Sequence, residues 1–231
     1  MLRVLRLTLL FVFLSILAGC QGTERPHAPE PAKGAESKQQ LTRAEMAMLL
    51  AAANGDTAAV GGWLEKGVDV NMRGGDRNTP IMEAAFAGHL ETVKLLLDHG
   101  ADLSARKNDG ETVITLGAGH QDIADLFKNV SALVDVASKG DNKAVKELID
   151  KGTPVNGLDQ HGQTALTEAC WNGRTETVKL LLEKGADPNI KKADGQNPLS
   201  LAMAQKHQDI VALLNETIAK RSKQNPMQTS K

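Results

Sequence analysis

Apolar residues recur at helical spacing in two nearly superimposable stretches. Val93, Leu96 and Leu97, and again Val178, Leu181 and Leu182, fall three and four apart, the spacing of one buried helix face. Glycines bracket each stretch at fixed distances: Gly88 and Gly100, then Gly173 and Gly185. Gly55 with Gly67, and Gly140 with Gly152, repeat the bracket. A second apolar run lies before each of Gly88 and Gly173 and carries the paired small residues Ala84/Ala85 or Ala169/Cys170, which let neighbouring helices approach closely. The pattern predicts pairs of short antiparallel helices, the first glycine making the tight turn and the second ending the second helix. Gly55 to Gly88 and Gly140 to Gly173 are both 33 residues, and a fixed period of that length marks a stacked repeat.

Two segments carry the full unit: NTPIMEAAFAGHLETVKLLLDHGADLSARKNDG at 78–110 and QTALTEACWNGRTETVKLLLEKGADPNIKKADG at 163–195. Through the Thr-Pro start, the AAxxGH turn, the VxLLLxxGAD second helix and the Asp-Gly tip they resemble the ankyrin repeat. The resemblance covers about residues 42–215. It implies an all-α ankyrin-repeat solenoid of about six repeats with short β-hairpin loops. Thr79, Thr112 and Thr164 stand where a hydroxyl can cap a first helix, and Asp109-Gly110 and Asp194-Gly195 supply the turn chemistry of a projecting hairpin. The family's His after Thr-Pro-Leu is absent; Met82, Thr115, Thr167 and Ser200 take its place, which removes an inter-repeat hydrogen-bond network.

A longer period overlies the shorter one. Residues 46–127 and 131–214 are two copies of one three-repeat unit, with Gly55 matching Gly140, Gly88 matching Gly173 and Thr112 matching Asn197, each 85 positions on. The first repeat of each copy puts Gly62 or Glu147 where the full repeats have Leu95 and Leu180, as an uncovered capping repeat would. Gly61-Gly62 within a helix costs roughly 1 kcal/mol per glycine relative to Ala, so the first repeat should fray most easily. Between the copies the hairpin is missing, since Thr112 to Ser131 is only 19 residues. The stack is therefore expected to bend, or its hairpin row to break, near Asn129 to Ala132.

The two ends read differently. Arg3 and Arg6 precede an apolar run, Leu7 to Leu17, too short to span a bilayer, and the run ends in Leu17-Ala18-Gly19-Cys20. This resembles a bacterial lipoprotein signal, which implies cleavage after residue 19 and lipidation of Cys20. Gln21 stands where, in that family of signals, an Asp would retain the protein in the inner membrane, so the expected location is the outer membrane, facing the periplasm. Residues 20–41, Pro-rich and polar, read as the lipidated Cys and a flexible tether of roughly 25 Å. Thr42 with Glu45 forms a capping box that opens the first helix. The tail from Glu216 begins as helix and becomes polar, with residues 216–231 read as disordered and Lys220, Arg221 and Lys223 as solvated charges.

Composition narrows the function. Aromatics are 3% with no Tyr, so the core must be Leu, Val, Ile and Ala. A formal net charge of −1 gives no concentrated basic face for nucleic acid. Cys170, with Cys20 committed to lipid, should be a small buried residue. No HExxH, paired CxxC, GxSxG or phosphate loop is present, and Ser104 with Lys107 matches SxxK only by coincidence in a repeat loop. His89, His120 and His207 read as turn residues stacked along one side. No enzyme, cofactor or metal site is indicated.

What remains is a protein-binding surface. By resemblance, the concave side offers the hairpin tips and the two positions before each turn glycine: Phe86, and Trp171 with Asn172. Exposed aromatics of that kind anchor interfaces. The tips hold Asp76, Asn78, Asn108, Asp109 and Glu111 in the first copy, an acidic set that would suit a basic patch. In the second they hold Gln160, His161, Gln163, Asp194 and Gln196. The resemblance to membrane-anchored ankyrin lipoproteins implies a non-catalytic binder of another protein. One reading is an immunity protein that neutralises a secreted antibacterial toxin, for example a phospholipase; the other is a scaffold or stabiliser of a resident periplasmic or envelope protein.

Overall fold

The computed structural model describes residues 42–224, with Cys20, the signal segment and the Pro-rich stretch outside the described residues. The chain is built from α1 (Arg43–Asn54), α2 (Thr57–Glu65), α3 (Pro80–Ala87), α4 (Leu90–Asp98), α5 (Val113–Gly117) and α6 (Gln121–Lys139). It continues through α7 (Asn142–Asp150), α8 (Ala165–Trp171), α9 (Thr175–Glu183), α10 (Pro198–Ala204) and α11 (Gln208–Gln224). Each module is a first helix, a turn and an antiparallel second helix. First helices pack on first helices (α1 on α3, α3 on α5, α6 on α8, α8 on α10), and second helices form an outer layer.

The turn glycines are required for two reasons. Gly55, Gly88, Gly140 and Gly173 all have positive φ. The residue after the next module's turn, whose last position is Gly88, Gly119 or the left-handed Lys206, also lies against them: a Cβ on Gly55, Gly88 or Gly173 would come within 2.5–2.6 Å of the ring of His89, His120 or His207. Those rings reach back one module. His89 Nε2 donates to the Ala53 carbonyl at 3.1 Å, His120 to Phe86 at 3.3 Å and His207 to Trp171 at 3.2 Å. Arg174 fills the same place in the fourth-to-fifth joint, its Nε donating to Ser138 at 2.9 Å. The stacked histidines are thus clamps between modules.

The loss of the family's His has a local answer. In α5, α8 and α10 the residue at that place carries a hydroxyl that closes a reciprocal capping box: Thr112 with Thr115, Thr164 with Thr167, Asn197 with Ser200. Met82 cannot do this. Thr79, expected to cap α3, makes no side-chain cap bond, and its buried hydroxyl has no partner. Thr42 and Glu45 form the capping box that opens α1.

The loops differ from the expected β-hairpins. Among the described residues there are only isolated bridges, Arg106 opposite Thr112 and Asp102 opposite Leu158. Each tip is a tight turn closed by one or two hydrogen bonds, such as Lys107 N–H to Glu111 and Gly110 N–H to Lys107, so the arms are too short for a ladder. Aspartates hold the turns from inside. Asp159, nearly fully buried, accepts from the N–H groups of both His161 and Gln163 at 2.9 Å.

The junction of the two copies is where the structure adds most. No break occurs at Asn129 to Ala132; the second helix of the third module and the first helix of the fourth are one helix, α6, of 19 residues and about 28 Å. Its buried residues Ile123, Leu126, Phe127, Val130, Leu133, Val134 and Ala137 keep one apolar stripe without interruption. Elsewhere a loop turns the chain back before the next module. Without it, the fourth module's first helix runs opposite to those before it, and the second copy is inverted. Two hydrophobic cores result: one ends at Val130, the other begins at Leu133.

The row of loops nevertheless continues across the junction. Leu103 N–H donates to Leu158, and Leu158 N–H to Ala101, both at 3.1 Å, joining the second module's loop directly to the fourth's. Asn156 ties both copies, its Nδ2 donating to the Asp98 carbonyl at 2.9 Å while its Oδ1 accepts from Asp187 N–H at 2.8 Å. Its counterpart Asn71 stays within the first copy, bonding Gly100 and Asp102. Ile190 of the fifth module's loop rests near Gly100, and Ala193 N–H donates to Gly162. The stack thus folds back so that loops face loops. At the other end α11 runs on to Gln224, and Arg221 is anchored, its guanidinium donating to the Ala186 carbonyl at 3.0 Å.

Candidate protein-binding surface

The face of the first helices toward the loops holds the exposed aromatics. Phe86 is 50% exposed and Trp171 44%, in a molecule whose other apolar side chains are mostly inside. Each is the second residue before a turn glycine, and its backbone carbonyl takes the clamp from the next module, so its place is set by the stack. Phe86 borders a small hollow with Met82, Glu83, Lys107, Glu111 and Leu116. The hollow lies between α3, α5 and the tip of the second module's loop. Moving those six positions on by 85 gives Thr167, Glu168, Trp171, Lys192, Gln196 and Leu201. Glu168 and Lys192 are within electrostatic reach of each other.

Electrostatics separate the two patches. Lys107 is bound by both Glu111 at 2.8 Å and Asp109 at 3.2 Å, and those two acids hold its ammonium above the ordinary lysine range. In the second copy Gln196 replaces the glutamate, and Lys192 lies 3.6 Å from Asp194 and within reach of Glu168. Burial pushes the Glu168 carboxyl up; Lys192 pulls it partly back. The first patch pairs its lysine with two acids of the same loop; in the second, the less exposed Lys192 is shared between Asp194 and Glu168. Glu83, Glu168, Lys107 and Lys192 were missed by reading the sequence for aromatics and tips, although their 85-residue spacing was there to be seen.

The other sequence-named residues fall on the loop tips. Asp76, Asn108, Asp109, Glu111, Gln160, His161, Asp194 and Gln196 are exposed, and Asn172 is exposed beside Trp171. Asn78 and Gln163 are half-buried. Asn78 donates to Glu83, Asn108 N–H to the Asp76 carbonyl at 3.1 Å, and Asn172 to the Glu168 carbonyl at 2.9 Å. The first copy's tips are not an acidic surface: Arg73, Arg77, Arg106 and Lys107 share those loops with Asp76, Asp109 and Glu111, and Lys107 neutralises two of the acids. Cys170 is fully buried and burial pushes its thiol up to about 12, so it carries no thiolate chemistry. Lys107, the SxxK lysine, is spent on its ion pairs.

These features define a helical-repeat solenoid with a half-exposed aromatic at matching places in its two copies. The chain matches the family model for Ankyrin repeats (3 copies) twice, over residues 48–138 and 133–225, and it belongs to the ankyrin-repeat family. The two matches fall on the two copies, with their overlap inside α6. Relatives include the ankyrin repeat and KH domain-containing protein mask of Drosophila melanogaster, 34% identical over 44% of this chain and 3% of that protein. A transient receptor potential cation channel subfamily A member 1 homolog of Caenorhabditis elegans is 32% identical over 59% of this chain and 12% of its own length. An L-asparaginase of Dirofilaria immitis is 28% identical over 50% of this chain and 22% of its length. The chain spans at most about a fifth of these relatives, and the likeness lies in the repeats. Ankyrin repeats are generally non-catalytic and typically bind other proteins.

Proposed function

We propose that this ankyrin protein is a lipid-anchored immunity protein that grips and neutralises a secreted antibacterial toxin. It would be held through Cys20 on a membrane, the outer membrane with the repeats facing the periplasm. The observation that carries the binding half is the duplicated patch, a half-exposed aromatic beside a Glu and a Lys, set at equivalent places in both copies. The lipoprotein-like start carries the other half. Tethering an inhibitor to a surface raises its effective concentration where a membrane-directed toxin such as a phospholipase must act.

The test is capture from envelope extracts with the wild-type chain and with F86A/W171A, followed by challenge of a deletion strain with toxin-bearing kin. Binding weakened by about 1 kcal/mol or more per aromatic, together with killing of the deletion strain, is the expected result. Normal survival of that strain, with a resident envelope protein captured instead, would replace the toxin by a scaffolded partner. Unchanged affinity in the double variant would move the binding surface elsewhere.

A further inference from the structure

The fold-back creates a second concave feature, which shares Lys192 with the second aromatic patch. Where the loops of the two copies face each other lies an open cleft of about 520 Å³, within the usual range for ligand sites of about 300–1,000 Å³. One wall comes from the first copy, with Asp69, Arg73, His99 and Asp102; the other comes from the fifth module's loop, with Lys191 and Lys192. A regular solenoid has no such site, because its loops lie side by side. Here the walls are brought together by α6 and by Ile190 resting near Gly100.

The charges in this cleft are unequally satisfied. Asp69 and Asp102 already accept turn N–H groups, from Asn71 at 2.9 Å and Ser104 at 2.8 Å. Arg73 and Lys191 are exposed and make no side-chain hydrogen bond or ion pair. Lys192 lies 3.6 Å from Asp194 and within electrostatic reach of Glu168. His99 donates through Nδ1 to the Leu95 carbonyl at 2.8 Å, turning Nε2 to other partners. Asp69 and Asp102 are engaged by their own turns while Arg73 and Lys191 stay open, so the unmet demand is for acceptors at those two cations.

We infer that the cleft between the two copies is a second docking site, which takes an acidic, extended polypeptide segment across Arg73 and Lys191. This rests on the protein-binding reading and deepens it: the aromatic patches anchor the partner and the cleft reads a carboxylate-bearing stretch of it. An extended segment fits an open cleft with unpaired cations on opposite walls, each able to take a successive carboxylate.

The test needs no natural partner. A hexaglutamate peptide is titrated into the full chain by calorimetry at low salt, with inorganic polyphosphate and hexalysine in parallel. Hexaglutamate should bind, weaken as salt rises, and lose about tenfold or more in R73Q/K191Q. A control, K94Q/K179Q, removes two lysines already paired on outer helices and should leave binding unchanged. No hexaglutamate binding, or equal loss in the control, overturns the assignment. Polyphosphate binding that depends on Arg73 and Lys191 without hexaglutamate binding replaces the peptide with a phosphate ligand. Should F86A/W171A leave partner capture intact while R73Q/K191Q abolishes hexaglutamate binding, the cleft stands and the aromatic reading falls.

Discussion

The ring of His120 lies against Gly88, close enough that a Cβ there would come within 2.5 Å of it, while its Nε2 bonds the Phe86 carbonyl two residues earlier. One side chain thus fixes the turn, the module joint and the backbone that presents an exposed aromatic. His89 and His207 repeat the arrangement on Gly55 and Gly173.

Removing the clamp should cost one ordinary hydrogen bond plus packing. H120A is expected to lower stability by about 0.5–1.5 kcal/mol in urea unfolding. G88A should cost more, since its left-handed backbone alone penalises a Cβ by about 1–2 kcal/mol. The clash with the ring adds to that, so G88A should be less damaging in the H120A background, read by a double-mutant cycle.

The two threonines Thr79 and Thr164 should answer the same substitution in opposite ways. T164V removes the two contacts made by the Thr164 hydroxyl, leaving the two from its backbone to Thr167, and should destabilise by about 0.5–2 kcal/mol. T79V removes a buried hydroxyl that bonds nothing and should be neutral or stabilising. Urea midpoints of the two variants decide it; an equal loss in both would mean that Thr79 has a partner in solution.

Coupling of the two copies should depend on Asn156. N156A removes its bonds to Asp98 and Asp187, a loss of about 1–3 kcal/mol. Trp63 in α2 reports on the first copy and Trp171 in α8 on the second. With W63F and W171F each leaving one reporter, the unfolding curves should coincide in the parent and separate once N156A is added. G157A should act in the same direction, because a Cβ there meets Leu97 at 3.1 Å and Val130 at 3.2 Å.

Glu168 makes stability depend on pH in a defined direction. Burial, opposed by Lys192 and helped by Asp159, raises its carboxyl above the ordinary value of 4.5. A raised folded value means that its stabilising contribution is complete below the unfolded pKa and is lost as pH rises through the folded one. E168Q never ionises, so its melting temperature should match the wild type near pH 3 and exceed it at pH 7. A smaller advantage at pH 7 than at pH 3 would reverse the sign and refute the burial account.

Much of the module was legible because it is local. The turn glycines, the capping box at Thr42 and Glu45, and the apolar stripes of α4 and α9 each follow from residues within one or two turns. Thr79 does not cap α3, because the Met82 N–H that its hydroxyl would accept bonds the Thr79 carbonyl at 3.0 Å instead, and Met82 has no hydroxyl to close a box. The hairpin ladders were misjudged because Asp-Gly marks a tip but not the length of its arms. The acidic reading of the tips counted Asp109 and Glu111 without Lys107 between them.

By itself the sequence determined the repeat, its 33-residue and 85-residue periods and the aromatic positions, because each is written in spacing along one chain. Even the continuity of α6 was present, in a stripe from Ile123 to Ala137 with no Gly or Pro to interrupt it. Only the tertiary structure decided that a loopless joint inverts the second copy and brings Leu158 against Leu103 and Ile190 against Gly100. Helix periodicity says which face is buried and carries no information on what distant loop it meets. That depends on the direction in which a rigid helix of about 28 Å carries the chain.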